Sequence, residues 1–556
     1  MIVSYPIDKR TNMHQGSVTA NIVQPLERRI FLADVRWEQG KIVDIARLGD
    51  EDPSRSYLLP GFVDAHVHIE SSMLTPAEFA RIACRHGTVA AVSDPHEIAN
   101  VLGLEGIRYM FDNAALTPMP ILFGAPSCVP ATPFETAGAR LESEQLDYLF
   151  ENRLSGYLSE VMNYPAVLDK DPKLMAKLDL AKRYGCPIDG HAPGLTGDTM
   201  RRYAEAGIST DHECATLAEA REKLAAGMHV LIREGSAARN FEALHVLISE
   251  HPEQVMFCSD DKHPDDLVAG HINLLAARAV AYGHSVFDVL RCACLNPIRH
   301  YGLVTGQLRV GDRMDAVEVE NLKTFAPVST WIAGQQVASQ GKSLLPYRRH
   351  EPINRFNAQP ITAAHLEVAA GDGQIRVIKA SDGDLFTQEA LHTPKIESGR
   401  LVPDPERDIL MLAVVNRYQA ARPALAFIEG FGLKQGALAS SVAHDSHNII
   451  AVGTDADAVC RAMNAVIGAQ GGIAAASQDG VELLPLPLAG LMSPDDGGTV
   501  AARYAQLNAA AGRMGSPLRA PFMTLSFMAL LVIPELKLSD LGLFDGRTFA
   551  FTSLRV

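Results

Sequence analysis

Eight short apolar runs, each closing on polar residues, recur between positions 61 and 261: GFVDAHVH, TVAAVSDPHE, PILFGAPS, GYLSEVM, PIDGHAP, GISTDHE, HVLIREGS and QVMFCSDD. Helix-like stretches separate them, at the spacing of roughly 20–40 residues that strand–helix units require. An apolar run with a polar end is what a buried parallel strand looks like when it delivers side chains to one rim. Eight such units predict an α/β fold, a (β/α)8 barrel over 61–305 that closes near Cys258. The polar ends would then gather on the C-terminal face, where barrel enzymes keep their sites.

The flanks have a different texture. IFLADVRWEQGKIVDIA alternates about Gln39 and Gly40, which predicts a hairpin. GQLRVGDRMDAVEVE (306–320) returns to the same pattern. Residues 1–60 and 306–345 are expected to form one small β-sandwich. A Pro- and Arg-containing stretch over 346–360 reads as a linker into a C-terminal α/β domain, which extends over 346–556 in all.

Charge and cysteine usage narrow the function classes. The net charge of −15 opposes binding to nucleic acid or an anionic membrane. The opening MIVSYPIDKRTNMHQG has no apolar core of the kind a secretory signal needs. The longest apolar run, 522–533, stops at Pro534 and is shorter than the ~20 residues of a membrane span. Eight cysteines without a CxxC pair read as reduced thiols in a cytoplasmic protein.

The chemistry lies at the strand ends. In a strand, residues i and i+2 share a face, so His66 and His68 project together. Glu160 in LSEVM, His191 in DGHAPG, His212 in TDHE and Asp260 in CSDD close four further strands. A single strand-end histidine is ordinarily a solvated rim residue. Four histidines and two carboxylates at five strand ends instead describe a site for two divalent ions. His66/His68 and His191/His212 would each hold one ion, Glu160 would bridge them, and Asp260 would ligate one and shuttle a proton. Nitrogen–oxygen ligation without thiolate suits Zn2+, Mn2+ or Fe2+ rather than a Cys-rich structural zinc; Mn2+ or Fe2+ is the expected pair, with Zn2+ as the alternative. Two ions sharing a water yield hydroxide near neutral pH. Alternation along the eighth strand would turn Asp261 to the opposite face.

These residues carry a resemblance. HxH on strand one, a carboxylate on strand four, single histidines on strands five and six, and Asp on strand eight resemble the amidohydrolase superfamily, as do PGFVDAHVH and the closing GxLxxGDxxDxV segment. HIESSMLTP, SDPHEIANV, SEVMNYP, DGHAPG, CSDDKHPDDL, HDSHNI and PFMTLSFMALLVIPELKL are similar to the adenine deaminase family within it. That resemblance implies hydrolysis of adenine to hypoxanthine and ammonia by a hydroxide bridging two divalent ions. It also implies Asp260 and Glu160 in proton transfer, a purine as the small-molecule partner, and a homodimer or larger assembly. The HxE…PCxxC pattern of cytidine-type deaminases is missing.

A second tier of residues surrounds this set. Glu70 is either a pocket residue or an acid at a helix start. His96 and Glu97, at the end of strand two, are expected to hydrogen-bond the purine edge. For Arg233, Glu234 and Ser236 a solvated rim is the preferred reading. His444, Asp445 and His447 suggest a further metal site, but a plain hydrogen-bonded turn before the strand NIIAVG is preferred. GTDAD (453–457) reads as a turn and helix start, and Cys292 and Cys294 as packed thiols. Two rival readings remain: a binuclear amidohydrolase acting on a cyclic amide or N-acyl substrate, and a metal-free barrel kept as a scaffold.

Overall fold

The computed structural model describes residues 14–556. The N-terminal stretch read above for a signal therefore lies, up to residue 13, outside the described residues. The chain opens with β1 (Gly16–Gln24), β2 (Arg29–Glu38) and β3 (Lys41–Asp50), followed by β4 (Tyr57–Pro60). Phe31, Ala33, Val35 and Trp37 alternate inward along β2. Gln39 (φ 51°) and Gly40 (φ 74°) both take positive φ between β2 and β3, as a two-residue hairpin turn demands.

Eight parallel strands follow in chain order: β5 (Phe62–Val67), β6 (Thr88–Ser93), β7 (Ile121–Ala125), β8 (Tyr157–Val161), β9 (Ile188–Gly190), β10 (Thr210–Asp211), β11 (His229–Arg233) and β12 (Val255–Cys258). Each pairs with the next from β5 to β9 and again from β10 to β12. Ser209 N donates to Ile188 O across the gap between β9 and β10. Nearly every strand residue is buried, because helices cover one face and packed side chains fill the other. Val63, Ala65, Ala90, Val92, Leu231 and Met256 fill that inner face.

The sheet curls until its ends meet. Asp260 N donates to His66 O (2.9 Å) and His68 N donates to Asp260 O (3.3 Å). The seam is thus made by the backbones of three proposed site residues.

Four later strands, β13 (Ala316–Val319), β14 (Pro327–Ile332), β15 (Gln335–Ser339) and β16 (Lys342–Ser343), extend the first sheet beyond β4. The flanking segments therefore pair as expected, in one continuous eight-stranded sheet. It folds over on itself: Trp37 of β2 meets Trp331 of β14 edge-on at 6.0 Å although β1, β4 and β13 lie between them in the sheet.

Residues 346–362 carry no regular secondary structure. Beyond them a second eight-stranded sheet, mainly antiparallel, is centred on Leu410–Val415, Ile449–Gly453 and Ala437–Ser440. The helix Ala456–Gly468 covers one face. Asp455 caps it by accepting from Ala458 N, so GTDAD is a helix start as expected. The opposite face shares a hydrophobic core with the parallel sheet: Phe79 and Ile82 belong to the same cluster as Leu412, Tyr504 and Phe522. The apolar run 522–533 is spent inside that core. No helix among the described residues is long and apolar enough to cross a membrane. All eight cysteines are free; Cys292 and Cys294 are buried, and Cys294 donates to Pro60 O at 3.3 Å.

Candidate active site

The six residues read from the strand ends converge at one end of the curled sheet. His66 and His68 lie at the end of β5, with their Nε2 atoms 3.2 Å apart. Glu160 of β8 is central: its Oε2 is 3.0 Å from His191 Nδ1 and 3.0 Å from His212 Nε2, and its Oε1 is 3.6 Å from His68 Nε2. Asp260 Oδ1 is 3.2 Å from His68 Nε2 and 3.7 Å from His66 Nε2. All six are buried.

This packing suits cations better than it suits an empty hydrogen-bond network. His68 Nδ1 faces the carbonyl of Asp94 (3.3 Å), which can only accept, so Nδ1 carries a proton and Nε2 is the atom turned toward His66 Nε2 and Asp260. Burial, then the neighbouring His212 and His68, hold His66 well below the usual histidine range, while at His68 the effect of burial is overcome by Asp260 and Glu160, which hold it well above that range. His66 Nδ1 and His191 Nε2 are buried with no hydrogen-bond partner among the described residues. His66/His212/Asp260 and Glu160/His191/His212 are each compact enough to hold an ion. The residues present therefore fit a metal cluster, and the donor set is one of nitrogen and oxygen only.

Several expectations are corrected. Arg233 is buried, not solvated: it donates to Asp260 Oδ2 (2.5 Å) and, through Nη2, to Glu213 Oε2 (3.0 Å). Burial alone would raise the Asp260 carboxyl, but the guanidinium beside it holds it well below the usual carboxylate range. Glu234 and Ser236 are buried as well; Glu234 accepts from Arg278 at 2.8 Å and Ser236 donates to Asp266 at 2.5 Å. Asp261 does not turn away. Asp260 has φ 51°, which breaks the alternation, and Asp261 lies within ligand reach of His68 and accepts from Ser71 Oγ at 2.5 Å.

The second-tier residues line the same space. Glu70 Oε1 accepts from Ile98 N (3.2 Å), while its Oε2 is buried without a partner among the described residues. His96 Nδ1 lies 3.5 Å from Glu160 Oε1. Glu97 is bound by His444 Nδ1 at 2.5 Å and by His447 Nε2. The HDSHN segment is a turn before a strand, as read, but it is pressed into this site. Glu213 was missed altogether; its one signal is adjacency to His212 in TDHE. Asp94, 3.1 Å from His96 Nδ1, was missed too.

Comparison with known proteins agrees with the site. The family model described as "Amidohydrolase family" matches residues 57–337, half of the chain and all of the curled parallel sheet. That match defines the class: a metal-dependent hydrolase fold with its histidines at the strand ends. A second model, "Adenine deaminase C-terminal domain", matches residues 384–550. An adenine deaminase of Salinibacter ruber is 52% identical over 537 residues, covering 96% of this chain and 98% of its own. One of Methanosarcina barkeri is 50% identical over 542 residues, covering 96% and 98%. A solved beta-aspartyl dipeptidase of Fervidobacterium islandicum has 15% identity and a TM-score of 0.44, covering 58% of this chain and 96% of its own. The chain belongs to the adenine deaminase family of the amidohydrolases.

Proposed function

We propose that the protein hydrolyses adenine to hypoxanthine and ammonia in a (β/α)8 barrel, which is how we read the curled parallel sheet over 61–305. Residues 16–60 and 306–345 form the folded-over sheet that stands in the place of its β-sandwich, and 346–556 its C-terminal α/β domain. The observation that carries the reading is the convergence of four histidines, Glu160 and Asp260 at one rim of a chain about half identical to adenine deaminases throughout its length.

His66, His68, His191, His212, Glu160 and Asp260 would hold two divalent cations; their thiolate-free donors suit Mn2+, Fe2+ or Zn2+, of which we take Mn2+ or Fe2+ first. Such a pair lowers the pKa of water, so that a nucleophile exists near neutral pH. The rest is the work of side chains. Water oxygen bonds to purine C6, and the C6–N bond to the exocyclic amine breaks. Asp260 takes the proton released and passes it to the departing nitrogen, which leaves as ammonia. Arg233 grips one oxygen of Asp260 and leaves the other facing the histidines. Glu70, His96 and Glu97 line the purine side, and Glu70 Oε2 is buried without a hydrogen-bond partner among the described residues, so it faces space that the purine would fill. The sequence similarity over nearly the whole chain favours this over a cyclic amidase or deacetylase.

A purine panel assayed for ammonia, with metal counted on the same sample, tests the reading. Adenine is expected to turn over with two equivalents of metal bound, and adenosine not, because a ribose blocks the hydrogen bond to the ring N–H. Comparable turnover of adenosine, or of dihydropyrimidines, contradicts it.

A further inference from the structure

The turn Ala443–His444–Asp445–Ser446–His447–Asn448 joins two central strands of the C-terminal sheet, yet its side chains end inside the parallel sheet's rim. Ala443 N–H donates to His447 Nδ1 at 3.2 Å. Because that nitrogen accepts, the ring proton lies on Nε2 and is given to Glu97 Oε2. His444 Nδ1 takes the other oxygen of Glu97 at 2.5 Å, and its ring packs 5.2 Å from Phe527 in the apolar run. Glu97 is therefore gripped at both oxygens by a segment about 350 residues away in sequence.

The turn itself is built rather than loose. Arg417, wholly buried, receives Asn448 Oδ1 on its backbone N–H (3.1 Å), and its guanidinium donates to the carbonyls of His447 (3.4 Å) and Ala489 (2.9 Å). Tyr418 donates to Ser446 O at 2.6 Å. So fixed, the turn carries Asp445, 3% exposed, beside His96: Asp445 Oδ1 is 3.7 Å from His96 Nε2, whose other nitrogen faces Glu160. Asp445 Oδ2 is buried with no hydrogen-bond partner among the described residues. A buried carboxylate oxygen without a donor is costly, and nothing in the metal cluster reaches it. A purine lying between Glu160 and this turn would supply the donor through the N–H of its five-membered ring.

We propose that the C-terminal domain is a specificity element of the active site: Asp445 accepts the five-membered-ring N–H of the purine, and His444 and His447 are positioning residues that hold Glu97 against the same face. This rests on the adenine-deaminating reading above.

The test uses full-length protein with its metal. Asp445→Ala should raise KM for adenine about tenfold or more, the scale of a lost charge-assisted hydrogen bond, with kcat within about threefold, since binding common to ground and transition states is what is removed. Asp445→Asn should recover part of the loss. The preference of the wild type for adenine over 9-methyladenine should shrink in Asp445→Ala, an effect that mere loosening of a domain contact would not produce. His447→Gln, which keeps an N–H toward Glu97, should outperform His447→Phe. Metal content and thermal unfolding of every variant are measured alongside. If Asp445→Ala keeps KM within twofold, or keeps the discrimination against 9-methyladenine intact, the proposal is overturned. If the wild type releases no ammonia from adenine, the underlying reading falls first and takes this one with it.

Discussion

Asp260 is bonded through one oxygen to Arg233 and offers the other to His68 and His66. Asparagine there keeps the shape but cannot accept a proton, and it sets an amide donor against a guanidinium donor or turns it toward the histidines. Asp260→Asn is expected to lose about 10²–10⁴ in kcat while much of the metal stays bound, as read by atomic absorption beside the assay. Asp261 is the comparison: its known bond is to Ser71 Oγ, which an asparagine oxygen can still accept. Asp261→Asn should cost about tenfold at most, the scale of one hydrogen bond. The reverse order of severity would reassign the proton shuttle. These two aspartates also mark where sequence reasoning stops at the residue scale. His66 and His68 were placed together by the two-residue period of a strand, and that held because the chain stays extended through Val67 and at His68 (φ −91°, ψ 98°). At Asp260 a single left-handed φ cancels the period, and no neighbouring residue type announces it. Arg233 looked like a rim residue because the pattern of one strand says nothing of Glu213 and Asp260 on the strands either side.

At the scale of elements, buried parallel strands were visible as apolar runs because both their faces are covered, and the hairpin because Gln39–Gly40 can take positive φ on both residues. What could not be read was how elements far apart in the chain meet. The strand Leu536–Ser539 is an instance: Lys537 is fully buried in it and donates to Leu385 O (2.7 Å) and Phe527 O (3.0 Å), with no carboxylate bonded to it among the described residues. Burial depresses this amine from its ordinary 10.5 to about 7. In that window the unfolded chain holds a proton that the folded chain has released, so unfolding takes up a proton and stability rises with pH from about 7 toward 10.5. Below about 7 both states are protonated and the contribution is flat. Denaturant melts of wild type and Lys537→Met at pH 6.5, 8 and 9.5 should show the difference between them shifting in favour of the wild type as pH rises. A pH-independent difference would mean that Lys537 stays charged in the folded protein.

Across the whole molecule the proposed ligands come from β5, β8 and the ends of β9, β10 and β12, which are spread around the curled sheet and meet only at its open rim. Cations bound there would tie distant strands together and stabilise the folded state by mass action, about 2.7 kcal/mol at a hundredfold excess over Kd. Stripping metal with a chelator should therefore lower Tm by several degrees, and Mn2+ or Fe2+ should restore it in a concentration-dependent way by calorimetry. A Tm indifferent to chelation and refilling would count against the assigned ligands. The same geometry explains why the turn at 444–447 was legible as a turn while its place in the site was not. HDSHN is locally a turn before a strand, and only the shared core of Phe79, Ile82, Tyr504 and Phe522 brings it to Glu97.

That separation has a bearing on biosynthesis. Some 350 residues lie between Glu97 and His447, and a ribosome adding about 5–20 residues per second needs roughly 20–70 s to bridge them. For that interval the curled parallel sheet carries a Glu97 carboxylate with His96 beside it but without His444 and His447 on its oxygens. The order of translation therefore makes the last-synthesised segment the one that fixes a residue of the first-synthesised site.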